Sequence, residues 1–345
     1  MALLSRRTLA AAGILAATAA VPLAAQNPSP LSFSGVSFAQ WGAELDSTNA
    51  TNPGNAFDVT RAYLNVIGKF GGGIQTRVTT DLYSETNDAH TIRLKYAWFS
   101  WTPQQSPLTF KFGLLTTPFI DWEEQLWDYR MQGPVAVDRN HFMTSSDFGA
   151  NIEGALNHEA VDFIVSLVNG TGYGAKANGA TPVTDQHRLV EARVSVRLLK
   201  TDDDSRVGGL RITGYGQIGA PTGGGTENRF LGELSYRSKA FLLAGEYAAR
   251  TDSTPTTAKV NGSLISVFGF AKIPSSPVGV IARMDIFDPN TASTATNDKH
   301  TEIIGGLSYQ LSPNVRLLAD LDRLSYQTSG TKSFTQALFQ TQFTF

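Results

Sequence analysis

The side chains with the clearest chemical potential in this sequence are charged groups that alternate with apolar neighbours. In an extended chain such residues share one polar face. The basic members are Arg61, Arg77, Arg93, Lys95, Arg193, Arg197, Arg211, Arg283 and Arg316. A second set lies within residues 116–147 and consists of Asp121, Glu123, Glu124, Asp128 and Arg130. Fixed charges along a narrow passage select ions by sign, so the predicted chemistry is electrostatic selection.

The sequence carries no convincing motif for catalysis or for metal binding. It has no Cys, and its five His residues are far apart, with no pair at helical spacing that could hold a metal. A Ser-His-Asp site has no supporting spacing. The Gly-rich stretches 170–174 and 222–225 do not open a helix after a strand, and Asp202–Asp204 is typical of a solvated turn. We therefore expect no catalytic residues, no metal and no cofactor.

Composition excludes further classes. The chain has 345 residues, 17% of them charged, with a formal net charge of −2. This balance offers no basic surface for nucleic acid. No internal run of 18 apolar residues exists, so the sequence predicts no membrane-spanning helix. Abundant Gly, Phe, Tyr and Thr instead favour many short strands.

The first 25 residues have the pattern of a signal peptide. Arg6 and Arg7 precede an Ala-rich apolar stretch, Thr8 to Val21, and small residues precede a cleavage point after Ala25. The paired arginines leave open whether export uses the general or the twin-arginine route. We expect residues 1–25 to be removed and residues 26–345 to form one exported domain.

After Gln26 the chain divides into sixteen segments of roughly ten residues in which apolar and polar side chains alternate. In segment 188–199, Val194 is expected to face lipid and Ser195 the interior, where an Arg substitution is expected to be tolerated. The segments lie near 31–45, 57–70, 74–83, 91–102, 108–115, 148–157, 161–168, 188–199, 208–218, 229–237, 240–249, 263–273, 278–287, 301–311, 315–326 and 334–345.

The connections between these segments alternate in length. Those after even-numbered segments are brief, except for the middling 200–207, whereas most of those after odd-numbered segments are longer, above all residues 116–147. This pattern predicts an all-β, 16-stranded antiparallel transmembrane β-barrel with short periplasmic turns, long extracellular loops and an inward-folded third loop. The last segment has neither charge nor Pro after Lys332 to protect an edge, so we expect it to pair with the first and close the barrel.

Outward aromatic residues are predicted near the short-turn end, where they would form an interfacial girdle. They are Phe110, Tyr236, Phe241, Tyr309, Phe343 and, nearby on the same face, Trp98.

Three stretches resemble the phosphate-selective porin O/P family of bacterial outer-membrane porins. They are FDVTRAYLNVIGKF (57–70), FKFGLLTTPF (110–119) and VDFIVSLVNGTGYG (161–174), and the likeness extends over most of residues 26–345. The resemblance implies a trimeric, sixteen-stranded channel in the outer membrane with a long third loop folded inward. It does not imply phosphate preference, because the sequence is poor in Lys.

The leading hypothesis is an outer-membrane porin, a water-filled channel for passive diffusion of small hydrophilic solutes or inorganic ions. A channel selective for phosphate or another anion is the alternative, and an outer-membrane enzyme or a structural barrel is a more distant one. Acidic residues on the polar faces, among them Glu302 and Asp322, nearly balance the basic ones. Residues 116–147 are expected to form the constriction, with their acids opposite Arg61, Arg77, Arg93 and Lys95.

Overall fold

A computed structural model of the protein describes residues 30–47, 54–84, 90–173, 186–295, 297–328, 331 and 333–345. These residues form sixteen strands, two α-helices and two short 3-10 turns. The strands are β1 (Leu31–Ser47), β2 (Asn55–Phe70), β3 (Ile74–Ser84), β4 (His90–Trp101), β5 (Leu108–Thr116), β6 (Ser146–Leu156), β7 (Val161–Val168), β8 (Leu189–Leu199), β9 (Gly209–Gly219), β10 (Thr226–Arg237), β11 (Phe241–Ser253), β12 (Val260–Lys272), β13 (Val278–Asp288), β14 (His300–Ser312), β15 (Val315–Tyr326) and β16 (Phe334–Thr344). The helices are α1 (Pro118–Leu126) and α2 (Ala136–Arg139), and the 3-10 turns are Gly71–Gly73 and Arg130–Gln132. The predicted signal peptide lies outside the described residues and stays a prediction.

Every strand pairs antiparallel with its sequence neighbours, and β1 also pairs with β16, so the sheet closes into a barrel. At the seam the Gly35 N–H donates to the Phe345 carbonyl at 2.8 Å, and the Phe345 N–H donates to the Gly35 carbonyl at 3.0 Å. Closure leaves the sheet without an edge, which a β-structure in hydrocarbon requires. The predicted strand number and the pairing of the final strand are both confirmed.

The barrel carries apolar side chains on its outer face and polar side chains inside. In β8, Val194 is 45% exposed on the outer face, whereas Arg193 and Ser195 are fully buried. This is the reverse of a water-soluble protein and is the distribution of a barrel whose outer face contacts lipid. The expectation that Arg would be tolerated at position 195 is wrong, because the Ser195 hydroxyl accepts a hydrogen bond from Thr213 at 3.0 Å and lies beside the buried Arg211.

The connections are sorted by length between the two barrel ends. One end has turns such as residues 71–73, 238–240 and 313–314, and we call it the short-turn end. The opposite end has the longer connections, the longest being residues 117–145 between β5 and β6. None of the helices in the described part of the chain is long and apolar enough to cross a membrane.

A β-bulge in β4 corrects one predicted orientation. Thr79 of β3 pairs with Tyr96 while Thr80 pairs with Leu94, so Lys95 is the extra residue. Because an extra residue reverses the alternation beyond it, Trp98 faces the interior and not lipid. Its ring lies 4.8 Å from the Lys111 ammonium. The other five predicted aromatics do lie exposed on the outer face: Phe110, Tyr236, Phe241, Tyr309 and Phe343.

Candidate functional site

Residues 117–145 fold into the barrel, and we call them the inner segment. Pro118 begins α1, where its missing N–H has no helical partner to lose. The side chains of Trp122, Trp127 and Tyr129 are buried against the interior wall. Trp127 packs edge-on against Phe268 of β12 with ring centroids 5.7 Å apart. The inner segment therefore buries apolar surface inside the barrel, and outside the barrel the same surface would be exposed to water.

Polar contacts attach the inner segment to the wall at several depths. Because the contacts join the segment to three different strands, together they specify its position across the barrel. They are Trp122 Nε1–H to Glu233 of β10 at 3.0 Å, the Tyr129 hydroxyl with Ser308 of β14 at 2.9 Å, Arg229 Nε of β10 to the Phe142 carbonyl at 2.5 Å, and Gln340 Nε2 of β16 to the Met131 carbonyl at 2.9 Å.

A carboxylate at the centre of β3 organises the predicted basic cluster of strands β2 to β4. Arg93 donates to Asp81 Oδ2 through Nε at 3.0 Å and Nη2 at 2.8 Å. Arg61 Nε lies 3.5 Å from Asp81 Oδ1, and the Asp81 side chain is fully buried. One buried acid thus holds two arginines together, and both guanidinium groups remain partly exposed to the interior.

The other two members of the cluster have aromatic and hydroxyl partners. Lys95 Nζ donates to the Tyr63 hydroxyl at 2.9 Å, and so does Arg61 Nη1. Arg77 lies 4.9 Å from the centroid of the Tyr96 ring. Within the part of the chain that the structure describes, neither Arg77 nor Lys95 has a carboxylate at ion-pair distance. The four basic residues predicted to be neighbours, Arg61, Arg77, Arg93 and Lys95, therefore lie together. We call this part of the interior the basic wall, and it carries excess positive charge.

One pair of inner-segment charges faces this basic wall. Glu124 Oε1 lies 2.8 Å from Arg130 Nη1. Burial by itself would raise the pKa of Glu124, but Arg130, Lys95 and Arg61 together lower it below its ordinary value. Glu124 is therefore ionised and compensates part of the positive charge of the basic wall that it faces.

The other three acids of the inner segment do not face the basic wall, which corrects the predicted arrangement. Asp121 Oδ2 lies 3.2 Å from Arg206, and Asp128 pairs with Arg237 at 2.8 Å. Glu123 is fully buried on the far side of α1, where burial raises its pKa to about 8. For Glu123 the reason is helical geometry: adjacent positions on α1 point in different directions, so Glu123 and Glu124 cannot share one face.

Glu123 belongs to a cluster of buried charged side chains between the inner segment and the wall. Its charged neighbours Glu233, Glu246, Arg283 and Asp285 lie on strands β10, β11 and β13 and are also buried. Arg283 pairs with Asp285 at 2.8 Å. None of these residues lines the two cavities in the open part of the interior.

The remaining predicted basic residues all point inward but differ in access. Arg193, Arg211 and Arg283 are fully buried between the wall and the inner segment, so they are removed from the open interior. Arg197 donates to the His158 carbonyl at 2.6 Å, near the short-turn end. Arg316 lies 4.8 Å from the ring of Tyr129 and lines a cavity of about 320 Å³ at the same end.

Two larger cavities adjoin in the open part of the interior. One of about 360 Å³ lies between the inner segment and the wall, and one of about 640 Å³ opens toward the long-loop end. Both are lined by Arg61, Pro134 and Arg139. The smaller cavity also meets Glu302 and Asp322, so cations and carboxylates line the same space. A solute in this space is exposed to charges of both signs.

Two arginines that contact the inner segment or belong to it carry more weight than the sequence indicated. Arg139 of α2 pairs with Glu302 and lies 4.0 Å from Asp322, which links the inner segment to strands β14 and β15. Arg206, in a turn beside the acidic run at 202–204, contacts the inner segment through Asp121. The one available signal was length, because 200–208 is the longest turn at its end. Among the described residues, no group of three or more His, Asp or Glu is arranged to hold a metal ion.

Comparison with known proteins shows similarity in fold. No protein-family model matches the chain, and no curated protein sequence matches it. An anion-selective porin from Comamonas acidovorans superposes with a TM-score of 0.64 at 13% identity, covering 91% of this chain and 99% of that chain. The outer-membrane channel DcaP of Acinetobacter baumannii gives 0.63 at 11% identity, covering 91% and 97%. The trimer form of in-vitro folded OmpT from Vibrio cholerae gives 0.63 at 12% identity, covering 91% and 99%.

Proposed function

We propose that this chain forms a water-filled channel in the bacterial outer membrane through which small hydrophilic or ionic solutes diffuse passively. The observation that carries the proposal is the pair of adjoining cavities within a closed barrel, lined by Arg61, Arg139, Glu302 and Asp322. The apolar outer face supports insertion in lipid. The porin and channel neighbours, which share this fold at low identity, support the same function.

Conductance across a planar lipid bilayer tests this function directly. The purified, refolded chain should give discrete current steps in KCl that scale with salt concentration. A folded protein that inserts without conducting would contradict the proposal and favour a structural or enzymatic barrel.

A second candidate is a channel selective for phosphate or another anion. The excess positive charge on strands β2 to β4 favours it, since Arg77 and Lys95 lack carboxylate partners in the described part of the chain. Reversal potentials in asymmetric KCl would show anion preference, and block of the KCl current by phosphate would show a phosphate site. Neutral or cation-selective currents without phosphate block would exclude this candidate.

We further propose that the protein is a homotrimer. The OmpT trimer among the structural neighbours supports this, as does a groove of about 520 Å³ on the outer face, beside Ala39 and Thr341. Small outward residues permit barrels to approach closely. In β1, Ser37 and Ala39 are candidates for such a contact, whereas Gly35 is covered by the ring of Phe345 from the same chain. A mass of one chain in mild detergent would contradict the trimer.

We also propose residues 1–25 as the export signal. The N-terminal sequence of the protein recovered from outer membranes should then begin at Gln26. Recovery of the uncleaved chain would contradict it.

A further inference from the structure

The turn between β8 and β9, residues 200–208, folds partly into the barrel. Val207 is buried and belongs to the same hydrophobic cluster as Trp122 of the inner segment. Gly208 is required at its position, because a Cβ there would lie 2.0 Å from the Asp203 carbonyl oxygen. In the same turn, the Arg206 side chain reaches Asp162 of β7 and Asp121 of α1. The turn therefore contributes both an apolar and a charged group to the region beneath α1.

Arg206 bridges the barrel wall and the inner segment. Its Nε donates to Asp162 Oδ2 at 2.8 Å and its Nη2 to Asp162 Oδ1 at 2.9 Å, which is a bidentate pair with β7. Its Nη1 donates to Asp121 Oδ2 in the first turn of α1 at 3.2 Å. The guanidinium also lies 5.7 Å from the Trp122 ring. A planar guanidinium is suited to this task because its donors point in fixed, divergent directions.

The same turn supports the other end of α1 through a second bridge. Asp203 accepts from Arg237 Nε at 2.8 Å, and Arg237 donates from Nη2 to Asp128 at 2.8 Å. Arg237 Nη1 also donates to the Leu126 carbonyl at 2.5 Å, at the end of α1. Both ends of the helix are therefore connected to residues 200–208, one directly and one through β10.

Apolar packing alone specifies the depth of α1 poorly, because dispersion contacts have little directionality. Ion pairs with fixed geometry supply what packing lacks. At the Arg206 site the charges of Asp121 and Asp162 are shared with Arg206 and Arg193, so removing Arg206 leaves Asp121 without its ion-pair partner. An unpaired, partly buried carboxylate favours movement toward water.

We infer that Arg206 is a positioning residue that seats the inner segment from the short-turn end and thereby determines the shape of the open cavities. This inference rests on the proposed channel function. Without Arg206, α1 exchanges between its seated position and displaced ones. The passing ion current then fluctuates, although Arg206 itself lines neither of the two adjoining cavities.

The test compares Arg206→Gln with Lys239→Gln. Both remove one positive charge near the short-turn end, but Lys239 lies exposed in the turn between β10 and β11 and makes no ion pair with the inner segment in the described part of the chain. We expect Arg206→Gln to increase the time spent in noisy or subconductance states about tenfold, which lies between the effect of breaking an exposed ion pair and that of breaking a fully buried one. Lys239→Gln should stay within about twofold of the unmodified channel, since an exposed charge contributes little.

A second variant removes the charge on the other side of the same contact, that of Asp121 in the inner segment. Asp121→Asn leaves the Arg206–Asp162 pair on the wall intact, so the barrel should fold even where Arg206→Gln does not. It should raise the noise as Arg206→Gln does, and the double variant should be no noisier than either single one, because both break one interaction. Heat-dependent gel mobility confirms folding of each variant.

The outcomes separate the inference from the function on which it rests. A silent unmodified channel would contradict the channel function. A conducting unmodified channel with quiet Asp121→Asn currents, or with additive effects in the double variant, would overturn the role of Arg206 alone.

Discussion

Removal of the two carboxylates that line the smaller cavity is the most direct perturbation of selectivity. Glu302→Gln and Asp322→Asn together leave Arg61, Arg130 and Arg139 as the charged groups lining that space. Both substitutions preserve side-chain volume and the ability to accept a hydrogen bond from Arg139. We therefore expect a folded barrel whose cavity has become strongly positive.

The magnitude follows from the size of the cavity. A sphere of about 360 Å³ has a radius of about 4 Å, and at that distance one unit charge contributes about 1 kcal/mol in water. Because a fixed charge acts on an anion and a cation with opposite sign, the energy difference between the two ions changes by about 2 kcal/mol, and we expect roughly a thirtyfold rise in the permeability ratio of anion to cation. High salt reduces the effect, because the Debye length falls to about 3 Å at 1 M.

The measurement is the reversal potential of single channels in asymmetric KCl, at low and at high ionic strength. Asp46→Asn with Glu159→Gln is the matched control, since it removes two carboxylates that line neither cavity. An unchanged reversal potential in the Glu302/Asp322 variant, with folding intact, would refute the conduction path described above. An equal shift in the control would show that selectivity depends on total charge and not on the cavity.

Three further results are expected. Val194→Arg should lower the free energy of unfolding, measured by urea titration, by roughly 2–4 kcal/mol, because it places a charge in lipid. Gln40→Arg should change that free energy little, because residue 40 lines the smaller cavity. Seating of the inner segment should weaken as pH rises from about 4.5 to about 8, because the docked Glu123 carboxyl binds its proton more tightly than a solvated one. Current noise should therefore rise over this range, and Glu123→Gln should remove the part of the rise that Glu123 causes. An unaltered pH profile of the noise in that variant would contradict the role of Glu123. Brominated lipids should quench the fluorescence of Trp101 on the outer face and not that of Trp98 inside. Trp101→Phe should therefore remove more of the quenchable fluorescence than Trp98→Phe. The opposite order would contradict the bulge at Lys95.

The barrel could be predicted from the sequence because its information is local. Alternation within each segment places Val194 outside and Arg193 inside without reference to any other strand, and the lengths of the connections identify the two ends. The apolar composition of residues 117–145 likewise indicated an inward fold, since such surface is unfavourable in water. In each case the deciding interaction is between a residue and its solvent, lipid or water, which is a property of that residue and its near neighbours.

Partner choice inside the barrel depended on the tertiary structure. Nothing in the spacing of Asp121, Glu123, Glu124 and Asp128 shows that only Glu124 faces the basic wall, because that follows from the helix and from its rotation against strands β7 to β13. The bulge at Lys95 reversed Trp98, since register depends on how two strands pair. Only the acidic run Asp202–Asp204 stood out in the turn that contains Arg206, and the contact of Arg206 with Asp121 exists only because the inner segment reaches the short-turn end. Alternation is determined by the sequence itself, whereas ion pairs between residues 85 positions apart depend on distances that only the closed, packed barrel specifies.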